Sequence, residues 1–94
     1  MALARVVTFD GVDSDRIAQM QREMEGNERP DNVPATETII LHDPGTDKSL
    51  AIVFFDNEDD YRQGDEALSA MPAGDTPGQR TSVTKYQVAI RMAD

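Results

Sequence analysis

The chain has no cysteine and no tryptophan, a single histidine, and no apolar run longer than the six residues Leu50 to Phe55. Without cysteine there is no disulfide, thiolate nucleophile, zinc–thiolate site or iron–sulfur cluster. A membrane-spanning helix needs roughly 18 to 20 apolar residues in succession, so a membrane is not an expected partner. The opening MALARVVTFD lacks the basic start, apolar middle and small-residue cleavage site of a signal peptide, and a cytoplasmic location is the expectation. Basic residues are also scarce. Nine of them face eighteen acids, and a net charge of −9 on so small a chain repels phosphate backbones, which argues against nucleic acid as a partner.

Ninety-four residues suffice for one domain, spanning 1–94, with a single core. A chain of this size buries only roughly 60 to 65% of the surface it exposes when unfolded, so covering more apolar area by self-association is an expectation from length alone. The chain is organised around Thr36 to Tyr61, TETIILHDPGTDKSLAIVFFDNEDDY, which reads as strand, turn, strand and helix start. Its uninterrupted apolar arm, Leu50 to Phe55, fits a strand covered on both faces.

Taken in order, residues 2–9 read as a first strand, with Leu3, Arg5, Val7 and Phe9 on one face and Ala4, Val6 and Thr8 on the other. Asp10-Gly11 ends it, and Asp13 or Ser14 caps a helix from 14 to 25 whose apolar stripe is Ile17, Met20 and Met24. Gly26-Asn27 stops that helix, and Pro30 and Pro34 keep the connection extended. A second strand over 35–42 turns through Asp43-Pro44-Gly45 into a third over 49–55. Asn57 then caps a second helix, whose first turn carries Glu58, Asp59 and Asp60 at the positive end of its dipole. Tyr61, Gly64, Leu68 and Met71 share one face of it, beside Ala67 and Ala70, until Pro72 stops it. After the loop PAGDTPGQ, residues 81–92 read as a long last strand with Val83, Tyr86, Val88 and Ile90 supplying bulk.

The order is βαββαβ, an α+β arrangement in which the commonest right-handed layout of the antiparallel sheet puts strands one and three in the centre. Composition agrees, because the polar residues Glu37, His42, Lys85, Gln87 and Arg91 fall on strands two and four. Two helices cover one face of such a sheet. The other face is apolar on the central strands, so a second copy of the chain is the simplest expected cover.

The element order, the strand end Phe54-Phe55-Asp56 running into Asn57-Glu58-Asp59-Asp60-Tyr61, and the last segment SVTKYQVAIRM resemble the dimeric α+β barrel group, ferredoxin-like domains that include the antibiotic-biosynthesis monooxygenase-like proteins. The resemblance implies a homodimer whose sheets face each other, with a small organic ligand held inside the barrel or between sheet and helices. Haem-degrading relatives, as the resemblance implies, use a helix histidine and a tryptophan; this chain places no histidine on either expected helix and has no tryptophan, and no cofactor is expected.

Three residues stand out as candidate ligand contacts. His42, the sole histidine, lies near the end of an edge strand, where it would serve as a base, hydrogen-bond a ligand, or simply precede the turn in solvent. Arg5, flanked by apolar residues in a central strand, should pair with an acid, anchor an anionic ligand, or reach water along its own stem. Tyr86, with Lys85 and Arg91 nearby, would add polar contacts, although edge strands also carry such residues to discourage mispairing. No metal is expected: the acids from Asp56 to Asp60 lack the spacing and central glycine of a calcium loop, and helix capping accounts for them. Met20 and Met24 fit a core at helical spacing. The expected role is small-molecule binding or an accessory function as a homodimer; the alternative is a cofactor-independent, monooxygenase-like activity on an aromatic or polyketide-like substrate.

Overall fold

A computed structural model describes residues 2–25, 33–70 and 78–92. Its elements are β1 (Leu3–Asp10), α1 (Ser14–Glu25), β2 (Glu37–Asp43), β3 (Lys48–Phe55), α2 (Glu58–Ser69) and β4 (Gln79–Gln87). The four strands form one antiparallel sheet in the order β2-β3-β1-β4. This is the ferredoxin-like α+β plan expected from the sequence, with the two most apolar strands in the centre. The expected stop at Gly26-Asn27, Pro30, Met71, Pro72 and most of the second loop lie outside the described residues.

Register assigns every side chain to a face. Leu3 pairs with Phe55, Arg5 with Val53, Val7 with Ala51 and Phe9 with Ser49, and these residues meet the helices. Two clusters fill the space there. Leu3, Val33, Ala35, Val53, Phe55 and Tyr61 are buried with Ala67 and Leu68 of α2 against them. Val7, Phe9 and Val12 are buried with Ile17 of α1 and Ala51. Both helices thus lie over the same face of the sheet.

Local chemistry sets the boundaries. Gly11 takes a positive φ of 73° at the turn out of β1, which glycine adopts without steric cost. Asp13 is the cap of α1, its carboxylate accepting from the Arg16 N–H at 2.7 Å. The Asn57 side chain likewise accepts from the Asp60 N–H at 2.8 Å. α2 approaches β3 most closely at Gly64: a Cβ there would sit 2.3 Å from the Phe55 ring. Phe55 is fully buried, and Tyr61 stands edge-on to it at 5.4 Å between ring centres.

The last strand departs from expectation. It begins earlier, at Gln79, and ends at Gln87 rather than running to Met92. The reason is a lack of backbone to pair with: Gln87 lies opposite Leu3, where β1 starts, and only the Val88 N–H still reaches the Ala2 carbonyl, at 3.0 Å. Val88 and Ile90 therefore do not belong to the strand. Beyond it Arg91 turns onto the open face, where its guanidinium lies 5.1 Å from the centre of the Phe54 ring and pairs with Glu37 on the far edge strand.

β4 also carries an irregularity. Thr8 lies opposite Ser82 but Phe9 lies opposite Arg80, so Thr81 is an extra residue. Such a bulge re-aims a side chain. Here the Thr81 and Ser82 hydroxyls both reach the Thr8 hydroxyl, at 2.5 and 2.7 Å.

Candidate functional site

The face away from the helices can be read in cross-strand rows. Ala4, Phe54 and Glu37 form one, Val6, Ile52 and Ile39 the next, then Thr8, Leu50 and Leu41, and finally Asp10, Lys48 and Asp43. Across these three strands the two inner rows are apolar but for Thr8, β4 adds Thr84 and Ser82 to them, and charge is confined to the ends. Leu41 remains 49% exposed.

At the Asp10–Lys48–Asp43 end lies an open cavity of about 500 Å³ lined by Thr8, Asp10, Leu41, Asp43, Lys48, Leu50 and Thr81, together with parts of Phe9, His42, Thr46 and Ser49. That volume is within the range of small-ligand sites. Strand alternation sends the Phe9, His42 and Ser49 side chains to the helix face, so they border the cavity through their backbone. Lys48 sits between two acids in register, yet neither holds it in an ion pair among the described residues. Asp43 is committed to the hairpin turn, accepting from the Gly45 N–H at 3.0 Å and the Thr46 hydroxyl at 2.9 Å.

The three residues singled out from the sequence are not brought together. Arg5 is 3% exposed on the helix face; its Nε donates to Asp65 Oδ1 of α2 at 2.8 Å and a terminal nitrogen donates to the Ser69 hydroxyl at 3.3 Å. Of the outcomes open to it, pairing with an acid is the one realised. His42 donates from Nε2 to the Val12 carbonyl at 2.8 Å, which places the ring proton on that nitrogen, and the Val12 N–H in turn donates to the Asp47 carbonyl at 2.7 Å. The histidine thereby ties the loop before α1 to the β2–β3 hairpin. Tyr86 lies across from Ala4 on the open face, exposed, at the opposite end from the cavity.

Around Arg5 the polar groups of α2 and β4 interlock. Lys85 pairs with Glu58, and its ammonium lies 5.0 Å from the centre of the Tyr61 ring. Burial pushes the Tyr61 hydroxyl above its ordinary range; the negative charges of Asp65 and Glu58 act in the same direction, while Arg5 opposes them. A tyrosine held more firmly protonated is a poor base. Among the described residues no group of three or more His, Cys, Asp or Glu side chains is arranged to hold a metal ion.

Sequence reasoning missed Lys48, Asp10, Thr8 and Thr81. Their only common signal is register: residues 10, 48 and 43 become neighbours once three strands are aligned, and the bulge that turns Thr81 toward Thr8 has no glycine or proline to announce it. No family model matches the chain, and no curated protein or solved structure matches it either. Among the described residues no helix is long and apolar enough to cross a membrane.

Proposed function

We propose that the protein is a small-molecule-binding or accessory protein of the dimeric α+β barrel type, acting as a homodimer closed over the open face of its sheet. The observation that supports this reading is the apolar band of Val6, Ile39, Leu41, Leu50, Ile52 and Phe54, which no helix covers among the described residues. Charge placement is compatible with cover by a second copy, since the inner rows carry none and Glu37 at one end is already paired with Arg91.

The binding role is preferred to an oxygenase role because Arg5, His42 and Tyr86 do not converge, and the first two have internal partners. Sedimentation equilibrium tests the assembly: at micromolar concentration the particle should have twice the mass of the 10.4 kDa chain, and Ile52→Lys should halve it while leaving far-ultraviolet circular dichroism unchanged. A parent protein that sediments as a single chain would overturn the reading. Oxygen uptake on aromatic substrates, equal with and without protein, should accompany the dimer.

A further inference from the structure

We propose that the cavity at the hairpin end of the open face takes a small zwitterion, an ammonium and a carboxylate a few bonds apart with an apolar body attached. The proposal rests on the binding reading above and specifies its ligand class. Three observations converge on it. Asp10, Lys48 and Asp43 alternate in sign across adjacent strands, and Lys48 and Asp10 have no charged partner among the described residues, so one cation and one anion stand side by side unspent. A simple anion placed at Lys48 would also face two carboxylates, and a simple cation placed at Asp10 would face the ammonium. A ligand carrying both charges satisfies Lys48 with its carboxylate and Asp10 with its ammonium.

The second observation is what lies one row further along. Leu50 lies two residues after Lys48 and Leu41 two residues before Asp43, roughly 6.6 Å along the strands, at the end of the band that the second copy closes over, so a short hydrocarbon side chain would be held between these leucines and that copy. The third is the hydroxyl group at the cavity's side. Thr81 donates to the Thr8 carbonyl at 3.2 Å while Thr8, Thr81 and Ser82 share hydrogen bonds, a cluster that can turn to donate to a carboxylate or accept from an ammonium. The bulge at Thr81 is what brings two hydroxyls from β4 to one on β1.

The test is a nuclear magnetic resonance titration of the whole chain with three probes that share one hydrocarbon body: leucine, 3-methylbutylamine and 4-methylpentanoate. Leucine should give saturable shifts at the amides of Thr8, Asp10, Lys48, Leu50 and Thr81 and bind about ten-fold tighter than either single-charge probe. Lys48→Gln should reduce leucine to the affinity of the amine, and Asp10→Asn should reduce it to that of the carboxylate. Both residues are exposed, so each variant should keep the parent's dispersed spectrum. If one single-charge probe binds as tightly as leucine at these amides, the zwitterion is refuted while ligand binding stands. If neither the three probes nor an uncharged aromatic fragment set gives saturable shifts there, the zwitterion and the binding role both fail.

Discussion

Replacing Gly64 by alanine should destabilise this protein, although at most helix positions the same change does the opposite. Glycine in a helix interior costs about 0.8 to 1 kcal/mol relative to alanine, so propensity alone makes Gly64→Ala stabilising by that amount. The added methyl, however, would lie 2.3 Å from Cε1 and 2.4 Å from Cζ of Phe55, where carbon atoms normally rest roughly 3.5 to 4.0 Å apart. The ring cannot easily retreat, since it is fully buried and Tyr61 stands edge-on to it. Overpacking of a well-filled core costs about 1 to 3 kcal/mol, and a shortfall above 1 Å belongs near the upper end. After the propensity gain, the net loss is about 1 to 2 kcal/mol, or roughly 4 to 16 °C in melting temperature for a domain of this size. Urea unfolding and calorimetry at one fixed protein concentration measure it, because self-association makes stability concentration-dependent. A Phe55→Leu, Gly64→Ala double variant should show favourable coupling as the smaller side chain makes room. A Gly64→Ala protein as stable as the parent would refute the close approach of α2 to β3.

Asp65→Ala should cost about 1 to 3 kcal/mol, below the cost for a fully buried pair because Asp65 is 42% exposed, since it strands the buried Arg5 guanidinium; Arg5→Met should cost less, and the double variant should resemble Arg5→Met. A reversed ranking in urea denaturation would show that Arg5 contributes packing rather than charge. Tyr61 holds its proton more tightly folded than unfolded, so its contribution is complete below the ordinary tyrosine value near 10 and is lost as pH climbs above it. Urea midpoints should therefore fall more steeply above about pH 10 for the parent than for Tyr61→Phe; parallel curves would remove the residue from the pH response. Asn57→Ala should cost about 1 kcal/mol and Asn57→Ser much less, read by thermal denaturation, because only the former leaves the Asp60 N–H without its cap.

The fold was legible where chemistry is local. Apolar density separated central from edge strands, Asp13 or Ser14 and then Asn57 marked helix starts, with Asp13 the one that satisfies an orphan N–H at the first, and period-two alternation put Arg5 on the side of Leu3, Val7 and Phe9. The end of β4 was not legible, because Val88 and Ile90 have strand character and it is the start of a distant strand that leaves them without partners. Arg5 shows a second limit. The sequence signals that a buried cation needs an acid, but sixty residues separate it from Asp65 and only the docking of α2 identifies the partner. The cavity was the least legible part, since the acid–lysine–acid row exists only after two registers are set.

Residue types that suggest chemistry and residues free to perform it are separated here by the plane of the sheet. On the helix face a polar group is cut off from water and must find a protein partner, so Arg5, His42 and Ser49 are drawn into bonds with Asp65, Val12 and Leu41. Among the described residues no buried side-chain nitrogen or oxygen is left over on either face. On the open face water satisfies the polar ends, and nothing compels Lys48 and Asp10 to pair. A half-buried histidine or a buried arginine in a small α+β domain is therefore weak ground for a site, because burial itself supplies the reason for its bonds. The unspent groups sit beside the apolar rows that most need cover, and a ligand or partner that dehydrates them would meet charges with no competing internal bond to break.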